Sequence, residues 1–283
     1  MNYRHAFHAG NFADVVKHAV LGRILVHLRA KPTAFRVIDT HAGSGRYDLA
    51  GAEAERTGEW RDGIGRVVAA DLEPAVAALL APYLDVISSL NPQQRLATYP
   101  GSCEIARAHL RPQDRLIACE LEPNAARALA RNFFRDERVK VVAIDGWTAL
   151  TAYVPPKERR GVVLVDPAFE APDEFTRLAD RFAAAHRKWP TGTYVLWYPI
   201  KSRRDSDALA QRLERLAVAK ILRAEVAVAE PRADDRLAAC GLIIVNPPWT
   251  LERELAALLP ALVTVLARDD KAACRLAWLA GEK

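Results

Sequence analysis

Five short apolar runs, most of them closed by an acid and separated by stretches long enough for a helix, constrain this chain more than anything else in it. Residues 35–39 (FRVID), 115–120 (RLIACE), 139–145 (VKVVAID), 161–166 (GVVLVD) and 193–198 (TYVLWY) read as strands. Runs that are apolar throughout, rather than alternating, belong to strands covered on both faces. Residues 122–135, 147–153 and 173–188 lie between later runs and suit helices or short crossovers. Strand, crossover and strand repeated in this way builds a parallel sheet with helices on both sides. The expected class is therefore doubly wound α/β.

The remaining segments fit around that sheet. A helix is predicted to open at Asn11, whose side chain can cap it, with Asp14 in its first turn. Val16, Val20, Ile24 and Leu28 mark one face, and Pro32 stops it. Residues 52–98 interrupt the strand rhythm: 54–64 are polar, 73–90 have a helical pattern, and no strand is expected between the first run and residue 115. This stretch is read as an inserted helical subdomain (52–98), with residues 1–51 and 99–283 forming the main domain. Beyond the fifth strand come a helix over 205–219, strands over 221–229 and 241–246, a helix over 251–268 and a last strand near 274–279.

With 51% hydrophobic residues in 283, the chain can bury a full core, which excludes a disordered protein. Its longest apolar run, residues 255–267, holds Pro260 and falls short of the roughly 18 to 20 residues that cross a bilayer. The first residues have no apolar stretch behind their charges, so a cytoplasmic location is expected. Cys103, Cys119, Cys240 and Cys274 are too scattered for a disulfide framework or a cysteine zinc site and are expected to be reduced. Forty basic against 35 acidic residues leave a net charge of +5, which suits a polyanionic partner without requiring one.

In a parallel sheet of this kind, ligands bind at the carboxyl ends of the strands. Four polar signals fall there: Gly43-Ser44-Gly45, Glu120, Asp145-Gly146 and Asp166-Pro167-Ala168-Phe169. They are expected to converge. The glycine turn is not a dinucleotide fingerprint, because Asp48 occupies the third glycine's place, so hydride transfer is disfavoured. Glu120 is placed to accept hydrogen bonds from ribose hydroxyls, or alternatively to cap a helix.

The Asp166 loop is the sharpest signal. It resembles the D-P-P-Y/F loop of enzymes that methylate the exocyclic amine of adenine. That nitrogen's lone pair is delocalised into the ring and must be drawn out of conjugation before it attacks. Asp166 and the Pro167 carbonyl can each accept one N–H, while Phe169 stacks on a base swung out of its helix. Asn246-Pro247-Pro248-Trp249 fits the pattern better in letters. If residues 241–246 form an antiparallel last core strand, however, this second loop opens at the wrong edge, and Asp166 is preferred.

Five of the seven histidines, His5, His8, His18, His27 and His41, lie in the first 41 residues. No carboxylate or cysteine completes a metal set with them, so no metal is expected and they are read as hydrogen-bonding groups near an anionic or adenosine ligand. Lys17 sits beside His18 as a solvated charge or a substrate contact. Basic runs at Lys157-Glu158-Arg159-Arg160 and Lys201-Ser202-Arg203-Arg204, the second near Trp197 and Tyr198, are candidate RNA-facing rims or plain solvated loops.

Several motifs together are familiar. Tyr3-Arg4-His5-x-Phe7-His8-Ala9-Gly10-Asn11-x-Ala13-Asp14-x-x-Lys17-His18, Asp39-Thr40-His41-Ala42-Gly43-x-Gly45-Arg46-Tyr47, Tyr99-Pro100-Gly101-Ser102, Thr191-Gly192-Thr193-Tyr194 and Asn246-Pro247-Pro248-Trp249 closely resemble the RlmJ family of bacterial 23S ribosomal RNA adenine-N6 methyltransferases. The resemblance runs nearly end to end. It implies a class I, Rossmann-like S-adenosylmethionine-dependent methyltransferase sheet with a small inserted helical subdomain. It also implies S-adenosylmethionine as methyl donor and the adenine at position 2030 of 23S rRNA as target.

By motif, the resemblance makes Asp166 the catalytic acceptor, to which the loop's chemistry adds Pro167 and Phe169 as catalytic. It gives His18, His41, Gly43, Ser102, Glu120, Asp145, Gly146 and Asp166 to the cofactor, and Tyr3 to the RNA, with Lys17 added as an RNA contact. The expected partner is 23S rRNA, free or in an assembly intermediate, met by a monomer with neither metal nor membrane. One departure stands out: the family usually has proline where this chain has Ala168, which costs about 0.4 to 1 kcal/mol of loop preorganisation. A DNA adenine methyltransferase and a noncatalytic RNA-binding protein on the same fold are the alternative readings.

Overall fold

The computed structural model describes residues 4–93, 95–231 and 236–281. The apolar runs form strands β1 (Arg36–Asp39), β4 (Arg115–Cys119), β5 (Val139–Val142), β6 (Gly161–Val165), β7 (Thr193–Pro199), β8 (Ile221–Ala227), β9 (Ala239–Val245) and β10 (Ala273–Ala280). Two further strands, β2 (Arg46–Asp48) and β3 (Thr98–Pro100), pair antiparallel as a separate ribbon. This corrects the expectation that no strand lies between the first run and residue 115. Each of the two is only three residues long, too short to carry a readable pattern.

The eight main strands form one sheet in the order β10-β8-β9-β7-β6-β1-β4-β5. From β5 to β7 all neighbours are parallel, while β9 runs antiparallel to both β7 and β8, and β10 antiparallel to β8. The chain starts at β1, moves outward through β4 and β5, and then returns to β6 on the other side of β1. That reversal opens a crevice beyond the carboxyl ends of β1 and β6, where the two crossovers part.

Helices cover both faces. On one lie α1 (Phe12–Arg29), four helices between β2 and β3, namely α2 (Ala52–Thr57), α3 (Glu59–Asp62), α4 (Ile64–Ala69) and α5 (Pro74–Leu90), then α6 (Ser102–Ala108), α7 (Pro123–Phe133) and, late in the chain, α11 (Leu251–Leu266). On the other lie α8 (Gly146–Tyr153), α9 (Glu174–Lys188) and α10 (Arg203–Glu214). Alternate residues of β4 serve the two sides: Leu116 and Ala118 join the α1 core, while Ile117 and Cys119 pack with Ala149 of α8.

Asn11 caps α1 as expected, accepting from the Asp14 backbone N–H at 3.0 Å. The helix is wedged between the sheet and α5, α6 and α11, so nearly its whole circumference is buried, Asp14, Lys17 and His18 included. Its single apolar stripe in the sequence therefore understates how deeply it lies. Cys103, Cys119 and Cys240 are buried and Cys274 exposed, all unpaired. Among the described residues no helix is long and apolar enough to cross a membrane.

Candidate active site

The loop leaving β1 is shaped by its glycines. Gly43 has φ +60°, and a Cβ there would meet the Tyr47 hydroxyl at 2.0 Å. The turn thus brings the Gly43 N–H to Glu120 Oε2 at 2.8 Å, while the Glu122 N–H donates to Glu120 Oε1 at 2.7 Å. Each carboxylate oxygen of Glu120 is fixed by one backbone donor and keeps a lone pair for a ligand. Glu120 is consequently not a helix cap; Glu122 caps α7, and Asp145 caps α8 through Thr148. At Gly146 a Cβ would stand 2.4 Å from the Thr40 carbonyl and 2.5 Å from the His41 ring, so only glycine lets α8 start against the β1 loop.

Around these groups is a cavity of about 580 Å3, within the size range of cofactor sites. His18, His41, Gly43, Ser102, Glu120, Asp145, Gly146, Asp166 and Pro167 all line it. Beneath it Asp39, at the end of β1, accepts from Ser102 Oγ at 2.5 Å and from Cys103 Sγ at 3.3 Å. Burial pushes the Asp39 carboxyl up, against those two bonds. Burial also holds His41 down to about 4 and His18 to about 3, so both are neutral imidazoles.

A second cavity of about 800 Å3 shares His5, Lys17, Asp166, Pro167, Ala168 and Glu170 with the first. Phe169 and Trp197 line this second one and not the first, their rings 5.8 Å apart edge to face, and Lys201 and Arg236 also line it. Phe169 adopts φ +52°, and its N–H donates to Glu174 at 3.0 Å, which fixes the loop with the ring turned toward Trp197.

At the junction, Lys17 Nζ lies 2.5 Å from Asp166 Oδ2 and 2.8 Å from Asp14 Oδ1, with only 5% of its side chain exposed. Burial alone would lower Lys17, but the two carboxylates hold its ammonium well above the usual range. Asp14 also accepts from His5 Nε2 and the Gly10 N–H, both at 2.9 Å. Burial would raise its carboxyl, yet His5 and Lys17 hold it well below the usual range. Lys17 is therefore no solvated charge. Asp14 is the functional neighbour that sequence reasoning passed over, although Asp14, Lys17 and His18 at i, i+3 and i+4 share one helix face.

The two basic runs part company. Lys201 reaches the second cavity, but Tyr198 is fully buried with its hydroxyl on Glu225, and Arg203 pairs with Glu225 at 2.8 Å. The run at residues 157–160 precedes β6 and so lies at the opposite end of the sheet: Arg160 bonds the Thr33 and Leu28 carbonyls, and Glu158 pairs with Arg36. It therefore forms no RNA-facing rim beside the cavities. Asn246 is at that far end too, donating to the Pro190 and Gly192 carbonyls at 2.7 and 2.8 Å. Neither cavity includes it. Tyr3 lies outside the described residues.

Comparison with known proteins gives consistent matches. Residues 32–280 match the family model described as ribosomal RNA large subunit methyltransferase D, RlmJ. Curated relatives named ribosomal RNA large subunit methyltransferase J are 40% identical in Escherichia coli (strain K12) and 39% in Haemophilus influenzae, each over all of both chains. A crystal structure of protein LPL1258 from Legionella pneumophila superposes with a TM-score of 0.87 at 32% identity, covering 95% of this chain and 98% of that one.

Proposed function

Because this chain belongs to the RlmJ family of ribosomal RNA large subunit methyltransferases, we propose that its two joined cavities bring S-adenosylmethionine and one adenine of 23S rRNA together for transfer of a methyl group to N6. The observation that carries the reading is the junction itself: Asp166 and Pro167 face both cavities, so one loop can hold an acceptor amine beside a donor.

The first cavity suits the cofactor. Glu120, with both oxygens fixed and lone pairs to spare, takes the ribose diol. Asp145 and the close-packed start of α8 take the adenine edge, and the neutral His18, whose Nε2 has no hydrogen-bond partner among the described residues, takes a polar end of the ligand. When bound, S-adenosylmethionine supplies a methyl group on a cationic sulfur that departs with the bonding pair.

Asp166 and Pro167 act on the amine. Lys17 occupies Asp166 Oδ2 and orients the carboxylate, leaving Oδ1 to accept one N–H while the Pro167 carbonyl accepts the other. Holding both protons out of the ring plane restores the nitrogen's lone pair. Once nitrogen has gained a carbon, its surplus proton passes to Oδ1 of Asp166 and then to water. Phe169 and Trp197 form the aromatic wall for the extruded base, and Lys201 and Arg236 lie at the mouth where phosphates would pass.

Residues 52–98 are read as the inserted subdomain on a main domain of 1–51 and 99–283, in a protein working as a monomer in the cytoplasm on 23S rRNA that is free or still assembling. Mass mapping of 23S RNA from cells with and without the protein tests the function. The expected result is one N6-methyladenine that disappears with the protein. Methylation of duplex DNA but not of naked 23S RNA by the purified chain would instead favour a DNA enzyme, and tight RNA binding without methyl transfer a noncatalytic binder.

A further inference from the structure

Two buried tyrosines that take no part in methyl transfer form, with buried His18, one unbranched line of hydrogen bonds ending at the first cavity. Tyr83 Oη, on α5, lies 2.9 Å from Tyr99 Oη, on β3, which lies 2.8 Å from His18 Nδ1. Both tyrosines are 0% exposed and His18 is 1% exposed. Among the described residues neither hydroxyl has a further partner.

The direction of this line follows from counting protons. A hydroxyl carries one, and a buried one without an acceptor has lost its hydration for nothing. Tyr83 can donate only to Tyr99. Having accepted there, Tyr99 has only His18 Nδ1 left for its own proton. Reversing the line strands the Tyr83 proton, and making Tyr99 accept from both sides strands its own. With Nδ1 as acceptor a single polar atom of the line, Nε2, is left unmatched, whereas the reverse leaves both Nε2 and the Tyr83 proton unmatched, so the first arrangement is favoured. His18 is neutral, since burial holds it down to about 3 with Lys17 and His5 adding repulsion, so its single proton sits on Nε2. Among the described residues that nitrogen has no hydrogen-bond partner, the Asp14 carboxylate being 3.9 Å away, and His18 lines the cavity.

We propose that Tyr99 locks His18 in the Nε2–H tautomer, making it a preset neutral donor for the carboxylate at the methionyl end of the cofactor. The opposite tautomer would turn a lone pair toward that anion, and an imidazolium would crowd Lys17. His18 enters from α1, whereas Glu120 and Asp145, suited to ribose and adenine, enter from β4 and β5, which leaves the amino-acid end for His18. The identity of the ligand rests on the methyltransferase reading; the tautomer is a property of the protein alone.

Long-range 1H–15N spectra of the full chain carrying 15N-histidine, without ligand at pH 7, test the tautomer, with His18 assigned by its loss in His18→Gln. The wild type should show a protonated Nε2 and a bare Nδ1. Tyr83→Phe should keep that pattern, because the Tyr99 proton still has one acceptor. Tyr99→Phe should lose it to a mixture. Both variants remove one hydroxyl from the same line, so a merely structural role would move them together. By calorimetry, Tyr99→Phe should bind S-adenosylhomocysteine about tenfold more weakly than wild type or Tyr83→Phe, with adenosine, which lacks the carboxylate, bound unchanged. A wild-type proton on Nδ1, or an unaltered pattern in Tyr99→Phe, overturns the lock. A lost pattern with undiminished S-adenosylhomocysteine affinity overturns the donor role. Failure of the wild type to bind S-adenosylhomocysteine overturns the ligand assignment and the methyltransferase reading, while leaving the tautomer measurable.

Discussion

Asp166-Pro167-Ala168-Phe169 and Asn246-Pro247-Pro248-Trp249 are near-copies in chemistry and opposites in place. The first follows β6 and opens into both cavities; the second follows β9, which runs antiparallel, so it ends beside the start of β7. There Asn246 spends its amide on two carbonyls, and Trp249 stands 83% exposed. Asp166 instead meets a buried ammonium and keeps an oxygen for a substrate. An acceptor pair becomes catalytic only where the sheet also delivers a donor pocket, and strand direction decides that.

Exchange of the two loops' roles is the most severe challenge to this comparison. Asp166→Ala should lower turnover by about 10^2- to 10^4-fold with cofactor binding retained, and Asn246→Ala should leave turnover at wild-type level, both read by tritiated-methyl transfer to 23S RNA. The reverse pattern would move the chemistry to the far end.

Lys17→Met probes the buried charge that sets the two loops apart. It removes the buried ammonium that Asp14 and Asp166 share, leaving Asp14 its His5 and Gly10 bonds and Asp166 no ammonium, which should cost roughly 3 kcal/mol of stability, seen as a lower urea midpoint, together with a loss of turnover. A midpoint within experimental scatter of wild type would mean that the pair is not strongly coupled to folding.

The site should also be acid-sensitive. Folded His18 takes a proton only near pH 3, against about 6.5 when unfolded, so the unfolded chain binds more protons between those values and stability falls as pH drops below 6.5. At pH 5 this residue alone should cost about 2 kcal/mol relative to pH 7. His18→Gln should lose less stability than wild type over that interval in denaturant titrations.

The smallest effect concerns the rims. Lys201→Glu, at the cavity mouth, should raise the KM for RNA several-fold and flatten its salt dependence by about one counterion, whereas Arg159→Glu, at the far end, should change neither.

Much of this arrangement was legible beforehand. Gly43, Glu120, Asp145 and Asp166 stood out because each follows an apolar run, and runs of that length form strands whatever their partners. β2 and β3 were not legible, since three residues carry no period and Arg46 finds Pro100 only across the insertion. Nor was the Lys17 pair: Asp14 lies one helical turn away, but Asp166 is 149 residues on. Tyr99 resembled nothing beyond a family motif until folding set it between Tyr83 and His18.

From its residues alone this chain determined alternating strands and helices, a glycine turn at Gly43 and acids at strand ends, because backbone sterics and apolar burial act within a few neighbours. Only the tertiary structure decided which Pro-containing loop lines the two cavities, that Lys17 is buried, and which hydroxyls reach His18. Those outcomes depend on sheet order, strand direction and the scarcity of hydrogen-bond partners in a closed core, and no local stretch of sequence encodes them.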